Sequence, residues 1–140
     1  MKTYEQRHAV TFEETNALGN VYFVNHLRWQ GRCRERFLQE HAPSLMQELR
    51  RDLRLVTLSC SCQYLAELEP FDTVVTRMWL AEQVQNRIHL RFDYYRSSPH
   101  AEELVARGEQ QIACMRQTEK GLEPVALPID LARALEPFKQ

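Results

Sequence analysis

Three polar side chains in one short stretch of the sequence could bind a carbonyl group or an anion. Residues 15–35, TNALGNVYFVNHLRWQGRCRE, include Asn16, His26 and Arg34, and their only carboxylate is Glu35. The amide of Asn16 has no charge that could accept a proton, so it can orient a ligand or donate hydrogen bonds but cannot act as a general base. Chemistry in this stretch must therefore rely on hydrogen-bond donors.

A helix is predicted to carry two of these residues. The pattern becomes helical after Asn25, a residue type that favours the N-cap, and it continues to about His41, where Pro43 should end it. Further helical turns are expected in residues 44–54, SLMQELRRDLR. Both His26 and Arg34 are thus expected on one long helix.

The position of Arg34 on that helix needs an explanation. At 100° per residue, Leu27, Gly31, Arg34 and Leu38 fall within about 60° of one another, on the stripe predicted to face a sheet. An arginine is costly to bury there without a partner. It could pair with a carboxylate or with carbonyls across an interface, or it could face a cavity that binds an anionic or carbonyl-bearing ligand. Gly31 is expected to permit close approach of the helix to the sheet.

Strands are predicted on both sides of the helix. Residues 4–12 alternate, and the drier face is predicted to hold Tyr4, Gln6, His8, Val10 and Phe12. A turn follows at Gly19-Asn20. Four further strands are predicted at residues 53–68, 72–83, 86–97 and 103–117. This order predicts an α+β fold, with an antiparallel sheet of about five strands covering one long helix in a single domain, 1–140.

Charge and hydropathy exclude several classes of protein. Lys and Arg number 18 and Asp and Glu 19, so no excess of positive charge is present to attract nucleic acid. The start, MKTYEQRHAV, lacks the apolar core of a secretory signal, and no apolar run approaches the roughly 20 residues that span a bilayer. We therefore expect a soluble cytoplasmic protein that binds neither nucleic acid nor membrane.

The cysteines and serines indicate neither a metal site nor a hydrolase triad. Cys33, Cys60, Cys62 and Cys114 form no CxxC pair, and the histidine spacing around them suggests no zinc site. In a reducing compartment they are predicted to be small buried hydrophobes. No GxSxG motif is present, which excludes the nucleophile elbow of an α/β-hydrolase.

The same stretch carries a resemblance to a known family. TNALGNVYFVNHLRWQGRCRE, with SCSCQYLAELEPFD downstream, resembles the hotdog-fold thioesterases of the 4-hydroxybenzoyl-CoA thioesterase type. In detail it is similar to the members that serve enediyne polyketide biosynthesis. The likeness covers the chain from the first strand to the fifth. In the wider family an Asp commonly takes the place of Asn16 and a Glu often lies near Gly31, and this sequence has neither acid.

The resemblance implies how the site works without those acids. In the enediyne branch an Asn stands at position 16 and the helix arginine, here Arg34, holds the substrate carbonyl. His26 lies where those relatives often have Tyr, and it could donate to the carbonyl, shuttle a proton or be merely structural. Backbone N–H groups near the turn and the helix start could complete the set of donors. The residues implied to bind substrate there are Gly19, Asn20, Val21 and Tyr22.

The resemblance also implies partners and an assembly. Thr57 and Ser59 share one face of the second strand in the predicted alternation, and in a hotdog dimer that region of the partner subunit lies near the site. The family forms a tight dimer, usually paired into a tetramer, and receives its substrate on a phosphopantetheine arm without a further cofactor or metal. Arg50, Arg51 and Arg54 could meet an acidic acyl carrier protein, although a solvated helix face explains this basic group equally well.

The activity implied is hydrolysis of a β-ketoacyl or polyene thioester on the acyl carrier protein of an iterative enediyne polyketide synthase, followed by decarboxylation of the released β-keto acid. Two alternatives stay open. One is a general acyl-CoA thioesterase of the same fold with a small substrate. Its acyl pocket beside the helix would close after one ring instead of forming a long channel. A non-catalytic acyl-chain binder would show no turnover that depends on Arg34.

Overall fold

The computed structural model describes all 140 residues and contains one long helix against one sheet. The strands are β1 (Tyr4–Ala9), β2 (Leu53–Tyr64), β3 (Thr73–Val84), β4 (Arg87–Ser97), β5 (Glu102–Thr118) and β6 (Gly121–Pro124). The helices are α1 (Val24–His41), α2 (Pro43–Leu49) and α3 (Ile129–Leu135), and single 3-10 turns occupy Phe12–Glu14 and Glu136–Phe138. This confirms the predicted α+β class.

All strand pairs are antiparallel, in the order β1-β3-β4-β5-β2, with β6 added to β5. The two strands that flank α1 in sequence, β1 and β2, therefore lie at opposite edges of the sheet. The four long strands predicted from alternation are present, because side chains that alternate in polarity suit a sheet with one dry face. The sheet covers α1, as the hotdog resemblance implies.

Three details of the predicted elements are wrong. The opening strand ends at Ala9, and Phe12 is 74% exposed in the 3-10 turn rather than on the dry face. No element was predicted after residue 117, where β6 and α3 form. Cys33 and Cys114 are buried, but Cys60 is exposed on β2.

The buried face of α1 also differs from the predicted one. Of the four stripe residues only Leu38 is buried. The buried residues of α1 are Asn25, His26, Trp29, Gln30, Cys33, Phe37 and Leu38. Trp29, Cys33 and Phe37 follow one another at four-residue intervals, which places the apolar stripe roughly 120° from the predicted one. Arg34 therefore lies beside the dry stripe and not in its middle.

The glycine that permits close approach is on the sheet. A methyl group added at Gly31 would meet nothing within 4 Å, so the expected role of Gly31 is wrong. At Gly108 on β5, an added Cβ would overlap the amide of Gln30 and lie 3.1 Å from the carbonyl oxygen of Ser61. Gln30 is fully buried and donates from Nε2 to that same oxygen at 2.9 Å. The missing side chain at position 108 thus makes room for a polar contact between α1 and β2.

This packing predicts unequal effects of two glycine substitutions. Gly108→Ala should lower the free energy of unfolding by about 1–3 kcal/mol, because it displaces Gln30 from its only hydrogen bond. Gly31→Ala should raise it by roughly 0.5–1 kcal/mol, since alanine is the better helix former and the space is open. Urea denaturation of both variants measures this. A Gly108→Ala protein as stable as the parent would show that Gln30 moves away without loss.

None of the helices combines the length and the hydropathy needed to cross a bilayer. The structure contains no group of three or more His, Cys, Asp or Glu side chains placed to hold a metal ion.

Candidate active site

The turn before α1 holds Asn16 in a fixed position. Gly19, at φ 85°, allows the chain to reverse, and its N–H donates to the carbonyl oxygen of Asn16 at 2.9 Å. The N–H of Asn16 donates to the carbonyl oxygen of Asn20, and its Oδ1 accepts from the N–H of Leu18, both at 2.9 Å. The Nδ2 group of Asn16 has no acceptor in the chain. It is therefore free to donate to a ligand.

Only some of the backbone donors predicted near this turn are free. The N–H of Val21 donates to Leu68 and that of Tyr22 donates to Glu14, each to a carbonyl oxygen within 2.9 Å. Together with the bond made by Gly19, these contacts remove three of the four predicted groups. Among residues 19–24, the N–H groups that have no acceptor in the chain belong to Asn20, Phe23 and Val24. Free donors thus lie at the start of α1, where a helix favours negative charge.

Glu14 was not predicted as a site residue, but its contacts connect the turn to the helix. Its Oε2 accepts from Trp29 Nε1 at 2.7 Å, and its Oε1 accepts from the N–H of Thr11 at 2.9 Å. Burial alone would raise the pKa of Glu14, but these hydrogen bonds outweigh it and hold the pKa below its usual value. The carbonyl oxygen of Glu14 accepts from Asn25 Nδ2 at 2.8 Å. Asn25 therefore connects the helix to the preceding turn and is not the predicted N-cap, a position that Phe23 occupies. The capping-box pattern of Thr11 and Glu14 is the sequence signal that could have identified Glu14 as a structural residue of this turn.

His26 lies in an aromatic cage. The imidazole is 4.8 Å from the ring centres of both Trp29 and Tyr64 and 5.6 Å from that of Tyr94. Its side chain is buried, and neither ring nitrogen has a hydrogen-bond partner. Burial lowers the pKa of His26 to about 4. The imidazole is therefore neutral at neutral pH. This argues against a role as a proton shuttle, but the neutral ring can still donate one hydrogen bond and accept another.

The shifted pKa of His26 makes stability depend on pH. Because the folded pKa lies below the ordinary value of 6.5, the unfolded chain binds the extra proton first and stability falls as the pH drops from about 6.5 to 4. The protonation of His26 should lower the free energy of unfolding by ~3 kcal/mol over this range. In urea denaturation between pH 7 and about 4, His26→Phe should be less sensitive to pH than the parent, and His100→Ala, at an exposed position, should behave like the parent. Equal slopes for His26→Phe and the parent would contradict this assignment.

Arg34 is held by neutral partners only. Its Nη1 donates to Thr57 Oγ1 on β2 and to Gln110 Oε1 on β5, both at 3.1 Å. Its Nε is buried without an acceptor, and burial lowers the pKa of the guanidinium. No carboxylate forms an ion pair with it. Within one chain the explanation by a carboxylate partner therefore fails, because no carboxylate contacts the guanidinium of Arg34.

Two cavities meet at Arg34. The inner one, between α1, the sheet and α3, has a volume of about 10 Å³. Apart from Arg34 it is lined only by apolar side chains: Phe37, Leu38, Leu55, Ile88, Leu90, Ile112, Leu131 and Leu135. The outer one is an open groove of about 430 Å³ between α1, α2 and the start of β2, which also includes Arg54. Arg34 thus separates a dry interior from a groove that is open to solvent.

Thr57 and Ser59 do not share a face of β2. Thr57 pairs with Ile112 and Ser59 with Gln111, adjacent residues that point to opposite faces of β5. The cause is a β-bulge between them, where two residues of β2 oppose one of β5. Thr57 lies on the helix side, against Arg34, and Ser59 lies on the other side of the sheet.

The three predicted catalytic side chains lie apart in one chain. Asn16 is in the turn before α1, His26 is in its first turn, and Arg34 follows eight residues later, ~12 Å along the helix axis. No hydrogen bond joins any two of these side chains. A single chain therefore presents two groups of donors, one at the helix start and one at Arg34.

Comparison with known proteins identifies the family. Residues 10–135 match the model of the thioesterase-like superfamily. The structure of the dynemicin thioesterase, determined in a study of polyene binding, is 47% identical over 99% of both chains, with a TM-score of 0.96. A search of curated proteins returned no match.

Two more distant structures share the fold. An Asp-to-Asn variant of 4-hydroxybenzoyl-CoA thioesterase in complex with 4-hydroxybenzoyl-CoA is 16% identical, with a TM-score of 0.82 over 96% of this chain and 99% of the other. A 1,4-dihydroxy-2-naphthoyl-CoA thioesterase from Synechocystis is 21% identical, with a TM-score of 0.82 over 96% of both chains. The chain thus belongs to the thioesterase-like superfamily and is a thioester hydrolase with the hotdog fold.

Proposed function

We propose that this thioesterase hydrolyses a long β-ketoacyl or polyene thioester carried by the acyl carrier protein of an iterative polyketide synthase of the enediyne type. The observation that carries the proposal is the guanidinium of Arg34, which has only neutral hydrogen-bond partners in its chain and lies at the mouth of an apolar cavity. Such a group suits a substrate with a polar head of carbonyl oxygens and a long apolar tail. The 47% identity to a thioesterase studied with bound polyene supports the same class of substrate.

The donors suit stabilisation of an oxyanion. Water attacks the thioester carbonyl carbon, the C–S bond breaks, and the pantetheine sulfur leaves as a thiol after taking up a proton. Negative charge develops on the carbonyl oxygen, and each well-placed donor can contribute ~3–4 kcal/mol to its stabilisation. The candidates are the free Nδ2 of Asn16, the free N–H groups of Phe23 and Val24, and Arg34.

His26 and Thr57 have supporting roles in this proposal. A neutral His26 can donate one hydrogen bond to the substrate or accept one from the attacking water, because both ring nitrogens are unpaired. Thr57 fixes Nη1 of Arg34 and leaves the remainder of the fork for a ligand. Ser59 lies on the opposite face of the sheet from Arg34, and this proposal gives it no role.

A long acyl chain requires the inner cavity to open. Its volume of about 10 Å³ is near the minimum for a single water molecule, so the lining side chains must move to admit a chain. Induced fit upon polyene binding is described for the dynemicin thioesterase. The phosphopantetheine arm carries the substrate and hydrolysis needs no further cofactor or metal. We place the reaction in the cytoplasm.

The released acid should lose CO2. A β-keto acid decarboxylates through a cyclic transition state in which the proton of the acid passes to the keto oxygen, giving an enol that becomes a methyl ketone. This step needs no oxidant and can follow release. The basic residues Arg50, Arg51 and Arg54 border the start of β2 and are available to an acidic carrier protein.

Mass spectrometry of products tests this function. The protein is mixed with a polyketide synthase whose carrier protein bears the growing chain, and parallel reactions receive acyl-CoA thioesters of short and aromatic acids. We expect a polyene acid or methyl ketone from the carrier protein and slower turnover of the CoA esters. Faster turnover of the CoA esters, with no product from the carrier protein, would favour a general acyl-CoA thioesterase instead.

A further inference from the structure

The short helix α3 covers one side of the inner cavity. Its Leu131 and Leu135 line the cavity, and each is 1% exposed, so both side chains are sealed against α1 and the sheet. The other walls belong to α1 and to β2, β4 and β5. Those strands are hydrogen-bonded to their neighbours in one sheet, whereas α3 pairs with no strand.

The attachments of α3 lie mainly beyond its two ends. Before the helix, β6 pairs with β5. After it, the N–H of Gln140 donates to the carbonyl oxygen of Leu80 at 3.0 Å. The only side-chain hydrogen bond from α3 to another element runs from Ser44 Oγ on α2 to Asp130 Oδ2 at 2.7 Å, and both residues are exposed. The helix is thus part of a strap that is tied at both ends and is otherwise held by apolar contacts.

Of the walls around the cavity, α3 is the one that can move at the lowest cost. Moving a strand would break main-chain hydrogen bonds and leave buried polar groups unpaired. Moving α1 would displace the buried side chains of Trp29, Cys33 and Phe37. Moving α3 breaks one exposed hydrogen bond and exposes two leucines. An acyl tail that takes the place of those leucines restores the lost burial, because the stabilisation grows with the apolar area removed from water.

We infer that α3 is the wall that moves to admit the acyl tail, and that Leu131 and Leu135 thereby set the minimum length of tail that the enzyme accepts. The inference rests on the proposed function, since it assigns the entry of the acyl tail to one part of that same site. A short tail buries too little apolar surface to replace the two leucines, so the cavity stays closed to it. Selectivity for long chains then arises from the cost of moving α3.

A reversible cross-link tests the movement. The Ser44→Cys/Asp130→Cys variant is made in a Cys60→Ser background, because Cys60 is exposed, and a disulfide then replaces the hydrogen bond between α2 and α3. After oxidation, turnover of a long β-ketoacyl N-acetylcysteamine thioester should fall by about 10-fold or more and return with dithiothreitol. Turnover of the acetoacetyl thioester, whose tail is too short to need the cavity, should not change. Mass spectrometry confirms the cross-link.

The matched control removes the hydrogen bond without forming a cross-link. Ser44→Ala/Asp130→Ala in the same background, treated with the same oxidant, should keep its turnover of the long thioester, because nothing then holds α3 to α2 except apolar contacts. If the cross-linked enzyme hydrolyses the long thioester as fast as its reduced form, α3 does not move and the inference is wrong.

Chain-length profiles provide a second measurement that does not depend on the cross-link. Leu131→Ala and Leu135→Ala each leave less apolar surface to expose, so a tail of about eight carbons should gain roughly 10-fold in kcat/KM relative to a long tail. Leu127→Ala is the control, since Leu127 packs against the core from the same segment but does not line the cavity, and it should keep the parent profile. Parent profiles in both cavity variants would contradict the inference, and if those variants do not fold the cross-link decides alone.

The inference and the proposed function fail in different ways. A parent protein that hydrolyses only short thioesters would overturn the proposed function and the inference together. A parent protein that prefers long tails to the same degree with α3 free and with α3 cross-linked would overturn the inference alone.

Discussion

Arg34→Ala is expected to lower turnover of acyl thioesters by about 100-fold or more. Removing one donor from a developing oxyanion has an effect of this size, and Arg34 has no other ionic partner to explain its burial. The fold should survive, because the residue lies beside the apolar stripe of α1, it lines the open groove that water can fill, and its partner Thr57 is exposed. Steady-state kinetics and urea denaturation of the same preparation measure both effects.

Two companion variants sharpen this result. Arg36→Ala changes an exposed arginine two residues further along α1 and should leave turnover unchanged. Arg34→Lys keeps the charge but loses the planar fork, so it should recover only part of the activity. If Arg34→Ala unfolds readily while its soluble fraction keeps normal specific activity, Arg34 is a structural residue and the role in binding the carbonyl is wrong.

Asn16→Asp should slow hydrolysis of a β-ketoacyl thioester by about 10-fold or more, although it restores the acid that is common in the wider family. The new carboxylate would be ionised at neutral pH. It would place a negative charge beside the free donors at the start of α1 and would repel the charge that develops in the transition state. It would also replace the free Nδ2 donor with an acceptor.

Asn16→Ala provides the comparison for this substitution. It removes the donor without adding charge and should slow the reaction less than Asn16→Asp. Both variants are assayed with a β-ketoacyl and a simple acyl thioester between about pH 6 and pH 9, where an ordinary Asp stays charged. An Asp variant faster than the parent on the β-keto substrate would show that a carboxylate base is the better catalyst in this pocket, and the donor-based mechanism would be abandoned.

The main elements could be predicted because their signals are local. The alternation in β3 and β4 and the long helical run of α1 depend on residues close in sequence, and the structure confirms them. The turn at Gly19-Asn20 is confirmed for the same reason, since a residue at positive φ favours glycine. These signals establish the order of the elements and therefore the fold class.

The faces of the elements could not be predicted from local patterns. A helical wheel treats Gln30 as a polar residue and predicts that it faces solvent. Gln30 is buried instead, because Gly108, 78 residues further along the chain, leaves room for it and the carbonyl of Ser61 accepts its hydrogen bond. The bulge in β2 is equally invisible, because nothing in residues 57–59 shows that two of them oppose one residue of β5. Contacts between distant residues decided both cases.

The residue types of the candidate site can be read from the sequence, whereas the relative positions of those residues cannot. The structure leaves Nδ2 of Asn16 and the guanidinium of Arg34 available for a ligand. It places Ser59 on the face of the sheet opposite to Thr57, and it lowers the pKa of His26 mainly through burial. It also adds Glu14, whose contact with Trp29 spans the turn. Which residues lie side by side depends on contacts between distant parts of the chain, and no local pattern encodes those contacts.

The order of strands in the sheet has a consequence for how the chain folds. β3, β4 and β5 follow one another through short turns, so their pairing closes small loops. The pairs of β1 with β3 and of β2 with β5 join residues more than 40 positions apart, such as Tyr4 with Met78 and Leu53 with Arg116. Closing those longer loops costs more conformational entropy, so these pairs should form more slowly. In pulse-labelling hydrogen exchange during refolding, we expect the amides of β4 to be protected first and those of β1 last.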